Sequence, residues 1–475
     1  MSYTVAKNTS FLTAASIGQK LISFVYFTIV ARLIGVENTG QYFFALTYQS
    51  IFAVVADFGS AAVLTREMAK FPEKIQSIFS TALGNKLLFG SVAYILVAVS
   101  VNVLGYAPDV KNLIYLAGAT MFFDNFHSLF YAVFRANRNL KYESFGIVGS
   151  QFLTLIVGSV ALINHWSLIW LIAAYTIPSV LNVLYSGFFV LRTTAVRLKL
   201  SFEKSMWREF LIMAWPFACA GIIGRLYSYS DSLLMSKMLT GRELGAWSVP
   251  YKITFAFQFV ALSLSASVYP VFSALWTTDK PALAKLFEKS WRYLFSIVFP
   301  LSAGIFAIAA QFIMKVYGAD YADSIFPLRV LSISLVFGYL AIICASMLNA
   351  IGQQRKQTLL MSIALVASVA SNLVLLPRYG INGAAFSALF SNFLMWGIAF
   401  VFVKKYTNVD CKIIFKYALQ TLVPAFIMGA LVYWLCARMS FVIAAPIGAV
   451  VYFALLFLTG GLNKEIINEV KTKML

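Results

Sequence analysis

Charge is scarce in this chain. Only 12% of its 475 residues are Asp, Glu, Lys or Arg, 61% are hydrophobic, and the mean hydropathy is +0.82. So few charges cannot cover a water-facing surface, which excludes the soluble globular classes. Acids are scarcer still, 18 against 37 Lys and Arg, giving a formal charge of +19. In a soluble protein that imbalance would suggest nucleic acid. Here it reads as loop charge fixing orientation in a bilayer, and no nucleic-acid partner is expected. The cysteines, Cys219, Cys344, Cys411 and Cys436, show no paired spacing of the kind a disulfide framework or metal site needs. A GxxxxGK[ST] loop is missing, and neither cofactor nor metal is expected. Short alternating strands are missing too, which excludes an outer-membrane barrel.

What the chain has instead is apolar length. Runs of about 20 residues, enough to cross the hydrocarbon core, recur fourteen times, from 11–33 and 41–63 to 415–435 and 441–459. The predicted fold class is therefore all-α, a polytopic membrane protein of about fourteen transmembrane helices. The loops left between them are too short for a soluble domain, which argues against an enzyme with an appended head. The opening MSYTVAKNTS is followed by an apolar run that Lys20 interrupts, with no small-residue cleavage pattern, so the first span is expected to be retained. Lys and Arg concentrate in the loops after even-numbered spans, which predicts both termini on the cytoplasmic side of the cell membrane.

The longest basic connection, RTTAVRLKLSFEKSMWR at 192–208, leaves six spans before it and eight after. Sliding the second part back by 205 residues places Gly245-Ala246-Trp247 on Gly40-Gln41-Tyr42, and Arg225 on Lys20. A glycine-aromatic opening and a buried cation in one register indicate duplication. The predicted organisation is a six-helix bundle over 1–205, a second over 206–405, and two further helices with a cytoplasmic tail over 406–475. Paired bundles facing a midplane cavity are a recurring transporter arrangement.

Several segments carry a family resemblance over nearly the whole chain. They are ARLIGVENTGQYFFALTYQSIF at 31–52, DFG at 57–59, TREMAK at 65–70, YSYSDSLLMSKMLTGRELGAWSVPYKI at 227–253, PLRVLS at 327–332, LNAIGQQRK at 348–356 and NLVLLPRYGINGAAF at 372–386. In order and spacing they resemble the polysaccharide and lipid-linked oligosaccharide (O-antigen) flippases, a branch of the superfamily that also holds the multidrug and toxin extruders. The resemblance implies a transport reaction without covalent chemistry, and not a particular sugar.

A charge near the bilayer centre costs at least about 2.5–3.5 kcal/mol unless it faces water or a partner, so the embedded charges are the candidate site. Lys20, Arg225 and Lys252 are the candidate cavity cations. Ammonium and guanidinium groups suit the diphosphate of a polyprenyl-linked sugar. The alternative is that they pair with Asp57, Asp124 or Asp231 to hold helices together. Span 4 presents Thr120, Asp124, Ser128, Tyr131 and Arg135 at helical spacing, with His127 one position aside. That stripe reads equally as a sugar wall or proton-coupling element and as helix-to-helix bonding. Asp57 reads either as a cavity group or as a brace for a loop. Asp231 lies about 240° around its helix from Arg225, so its partner must come from another helix. Lys86 falls near the start of span 3. Arg66, Lys70, Lys74, Arg135, Arg138 and Lys141 read as positive-inside loop charge.

The expected function is translocation of a polyprenyl-diphosphate-linked oligosaccharide from the cytoplasmic to the outer leaflet by alternating access. The expected partners are that lipid, membrane lipid, a coupling proton or sodium ion, and polysaccharide polymerase machinery. The nearest alternative is a multidrug or toxin cation antiporter, whose cavity should be lined mainly with acids. A glycan polymerase or ligase would need an acid-base constellation on a long outer loop. A scaffolding subunit would leave the embedded charges without purpose.

Overall fold

The structure is a computed structural model that describes residues 2–194, 196–200 and 204–461. The predicted cytoplasmic tail beyond 461 lies outside the described residues. Among those residues the chain is all-α, and it divides into two compact units, Met1–Ser236 and Lys237–Leu475.

The first unit begins with α1 (Ser2–Asp57), broken once at Gly35, where φ is 78° and ψ 166°. A side chain is strained in that left-handed region and glycine is not, so the predicted spans 11–33 and 41–63 become two arms of one element. The second arm stops at Asp57 rather than at 63. A turn through Phe58 (φ 46°) and Gly59 (φ 69°) leads into the short helix α2 (Ser60–Lys70). TREMAK, read from sequence as loop, is therefore helical. Its Met68 is buried with Val63 and Leu64 against Phe79, Phe130 and Phe134, while Arg66 and Lys70 face outward or to the side. The amphipathic spacing explains the helix.

Four helices follow: α3 (Ile75–Val103), α4 (Pro108–Ala136), α5 (Lys141–Ile163) and α6 (Leu168–Thr193). Pro108 opens α4 where a missing N–H is harmless. Helix α4 is central, packing against α1, α2, α3 and α6. Helix α7 (Lys204–Met238) adds Phe210 and Ala214 to the core built on α2.

The second unit holds α8 (Gly241–Thr278), α9 (Lys280–Phe312), α10 (Ile325–Ala350), α11 (Gln354–Tyr406), α12 (Cys411–Cys436) and α13 (Phe441–Leu458). A capping box opens α8: Thr240 Oγ1 accepts the Glu243 N–H at 3.3 Å and Glu243 Oε2 accepts the Thr240 N–H at 3.0 Å. Helix α11 is broken at Gly380, with φ 55°. Here α10 is central, packing on α8, α9 and α11, while α12 and α13 close against α9 around Ala307, Ala425, Met428 and Tyr452.

Among the described residues eleven helices are long and apolar enough to cross a membrane, and the chain is a multi-pass membrane protein. The difference from the fourteen predicted spans has two physical sources. In α1 and α11 neighbouring spans are separated only by a kink, at Gly35 and Gly380, with no loop between them, so each pair counts as one kinked helix of 56 or 53 residues. Helix α4 has 29 residues, ample for a crossing, but Asp124, Asn125 and His127 interrupt its apolar middle.

Candidate functional site

The first unit concentrates its embedded polar groups along α4. At the centre is Lys86 on α3, whose side chain is 1% exposed. Its ammonium donates to Asp57 Oδ1 at 2.7 Å, Asn125 Oδ1 at 2.7 Å and Ser128 Oγ at 3.3 Å. Three donors meet three acceptors from α1 and α4, which is what a buried ammonium requires. Asp57 Oδ1 also accepts from Ser60 Oγ at 2.9 Å. The DFG turn thus has a part for each residue. Asp57 pairs with Lys86, and Phe58 stacks on Phe89 of α3 at 4.4 Å with ring planes 1° apart. Gly59 lets α7 approach, since a Cβ there would lie 2.7 Å from the Ala214 carbonyl oxygen and 2.9 Å from the Ala218 nitrogen.

Down the same helix each polar residue bonds to a neighbour. Thr120 and Thr176 hydroxyls lie 2.7 Å apart. Asp124 accepts from Ser179 Oγ and lies 3.1 Å from His127 Nε2. Tyr131 donates to Asn182 Oδ1 at 2.9 Å. Thr176, Ser179 and Asn182 fall at three-residue spacing on α6, so one face of α6 answers the α4 stripe. At the foot of α4, Arg135 forms a two-pronged bond to Glu143, whose side chain is completely buried. The sequence places Arg135 both at the end of the polar stripe and among the loop charges; in the structure its partner lies eight residues on, across the α4–α5 turn.

These bonds are the helix-to-helix bonding that the stripe's second reading requires. Two groups retain something further. The Asp124 side chain is 43% exposed despite its bonds. His127 holds Nδ1 buried with no acceptor or donor among the described residues. Asp124 and His127 are therefore brought together as a carboxylate–imidazole pair with one face open.

Lys20 on α1 and Arg225 on α7 are both exposed, and both belong to the first unit. Asp231, six residues further along α7, is buried. Lys252 is half-buried on α8 in the second unit. Lys86, Asn125, Ser179 and Glu143 were not among the predicted site residues. An isolated lysine near a helix start gives no signal of its partners, which come from positions 29, 39 and 42 residues away. Among the described residues no group of three His, Cys, Asp or Glu could hold a metal ion.

Comparison with known proteins places this architecture. The chain is 21% identical over 413 residues to the capsular polysaccharide biosynthesis protein CapF of Staphylococcus aureus, covering 84% of this chain and 100% of that one. It is 23% identical over 385 residues to a putative O-antigen transporter of Shigella flexneri, covering 77% and 90%. A shorter match, 25% identical over 222 residues, joins it to an uncharacterized membrane protein of Methanocaldococcus jannaschii, of which it spans only 42%. In fold it is similar to lipid II flippase MurJ in an inward closed conformation, with a TM-score of 0.76, 17% identity, and 94% and 97% of the two chains covered. It is also similar to an inward-facing multidrug resistance MATE family transporter of the MOP superfamily, with a TM-score of 0.70, 16% identity, and 82% and 94% covered. Where these names state an activity it is transport or flipping, not catalysis. The family model described as polysaccharide biosynthesis protein matches residues 5–276, more than half of the chain, and the protein belongs to that family.

Proposed function

We propose that this protein is a flippase that carries a polyprenyl-diphosphate-linked oligosaccharide, an O-antigen or related repeat unit, from the cytoplasmic to the outer leaflet of the cell membrane. Transport is by alternating access and coupled to a proton or sodium gradient. The observation that carries this reading is the pair of exposed cations, Lys20 and Arg225, deep in otherwise apolar helices of a polysaccharide-biosynthesis family member. Ammonium and guanidinium groups within a hydrocarbon-spanning segment are tolerated beside water or polar groups, and such a surface also suits an anionic headgroup. A diphosphate supplies the anion, with bonds stronger than those of neutral partners. The relatives named as an O-antigen transporter and a low-salt glycan biosynthesis flippase support the same cargo class.

The finer architecture belongs to the same reading. Counting the arms on either side of Gly35 and Gly380 separately, and α4 as a crossing, gives fourteen crossings. They divide as six over 1–205, six over 206–405 and two over 406–475, with both termini cytoplasmic. Helix ends support the doubling. A shift of 205 carries the break at Gly35 onto Thr240, between α7 and α8, and carries Ile75, the first residue of α3, onto Lys280, the first of α9. Lys252 joins the cargo-binding cations. Asp124 and His127 form the coupling pair, with Asp57 and Asp231 as supporting acids. A cation antiporter of the same fold is the alternative.

Deleting the gene in its host tests the assignment. The expected result is accumulation of a lipid-linked saccharide on the cytoplasmic face, identified by mass. Absence of any accumulation, with new sensitivity to cationic dyes, would favour the antiporter.

A further inference from the structure

The second unit has an embedded cation that the flippase reading does not use. Arg329, in the PLRVLS segment, stands four residues into α10. Its guanidinium lies over two aromatic rings, 5.3 Å from the centroid of Phe306 on α9 and 5.7 Å from that of Tyr433 on α12. Its Nε is buried and finds no acceptor among the described residues. The two rings hold the group by its faces and leave the edge of the guanidinium plane for polar partners.

The same two rings close one end of a groove of about 620 Å³ between α9, α10 and α12. Its walls are apolar, including Phe299, Ile333, Ala425 and Gly429. On α12 the lining runs from Leu422 to Tyr433, eleven steps or about 16 Å at the helical rise. That is close to one leaflet of a hydrocarbon core about 30 Å thick. On each helix the ring or turn beside Arg329 is at the same end: Phe306 is the last lining residue of α9, Tyr433 the last of α12, and Ile333, one turn past Arg329, the first of α10. The mouth is open, for Phe426 is 74% exposed and Tyr433 56%. An apolar trough about one leaflet long, with a cation against the two rings that close its end, matches a molecule with an anionic head and a hydrocarbon tail.

We propose that this groove is a binding site for a membrane phospholipid, with the phosphate on Arg329 between Phe306 and Tyr433 and one acyl chain along α12. The occupant is a resident lipid of that leaflet. It is held by charge complementarity at the head, since guanidinium donors pair with phosphate oxygens in a planar two-pronged geometry. Apolar and shape complementarity along the trough hold the chain, whose length matches.

The full-length protein in detergent, titrated with phosphatidylglycerol and read by native mass spectrometry, tests this. Wild type should retain one tightly bound phosphatidylglycerol and bind diacylglycerol, which lacks the phosphate, at least tenfold more weakly. Arg329→Gln should lose at least tenfold in phosphatidylglycerol affinity, and Arg329→Lys should keep part of it. Ala430→Trp, at an exposed lining position, should fill the trough and weaken both lipids. If Arg329→Gln does not fold, the Lys and Trp variants still decide the matter. Equal binding of diacylglycerol, or unchanged phosphatidylglycerol affinity in both Ala430→Trp and the Arg329 variants, overturns the site. Displacement of phosphatidylglycerol by equimolar undecaprenyl phosphate would also overturn it, assigning the groove to a polyprenyl chain instead.

Discussion

The two units are built around central helices of opposite character. Helix α4 adds polar bonds to its apolar contacts: Asn125 with Lys86, itself paired with Asp57 of α1, Asp124 with Ser179, Tyr131 with Asn182, Arg135 with Glu143. Helix α10 carries no acid, and its contacts are chiefly apolar, with Leu328, Leu335, Ile343, Met347 and Leu348 buried. Its few polar bonds are neutral, such as Asn392 to Ser334 at 2.9 Å and Ser334 to the Ala388 carbonyl at 3.2 Å. Burying an ion pair is at best neutral for stability compared with apolar packing of the same shape. The first unit thus retains an arrangement that stability alone does not favour, and the second does not. The ion-paired network around the central helix belongs to the first unit, which also holds Lys20 and Arg225, while the central helix of the second unit is packed chiefly by apolar side chains.

Breaking the pairs should expose that contrast. The largest effect is expected from Lys86→Met, which strands the Asp57 carboxylate and should cost about 3–5 kcal/mol. It would be read as a large drop in the unfolding midpoint in detergent or as loss of membrane expression. The double variant Lys86→Met with Asp57→Leu should recover much of that loss, because removing both partners is cheaper than removing one. Arg135→Ala ranks next, at about 1.5–3 kcal/mol. It leaves Glu143 buried without its cation, but water can reach the Arg135 side, which is 39% exposed. On the apolar side of the comparison, Ser334→Ala should cost only about 0.6 kcal/mol, the usual scale of a neutral interhelical bond. A drop as large as that of Lys86→Met would end the distinction between the units. Asp124→Asn sharpens the comparison functionally. Stability should change little because Ser179 and His127 can still bond, whereas the dependence of transport on the proton gradient should change. Unchanged coupling in a proton-gradient assay would leave Asp124 a bundle residue only.

Much of this was readable from the sequence. Apolar run length located the helices, and the spacing of Thr120, Asp124, Ser128 and Tyr131 located the polar face of α4. Pairing was not readable. The stripe left sugar wall, coupling and bundle bonding open, because the answering residues Thr176, Ser179 and Asn182 lie more than fifty positions away on a helix that is otherwise apolar. Lys86 stands near the start of its span in the sequence, and its burial is set by what packs around it from α1 and α4. TREMAK reads as loop because its Arg and Lys fit positive-inside loop charge, whereas its eleven-residue helix shows only through the apolar face that packs on the core.

The proposed cargo site stands or falls on Arg225. Purified protein in proteoliposomes, loaded with a fluorescent polyprenyl-diphosphate oligosaccharide on one leaflet, reports flipping directly. Arg225→Ala should abolish flipping, with Lys20→Ala reducing it strongly, while both variants insert and elute as wild type does. Full flipping by a well-inserted Arg225→Ala protein would contradict the account.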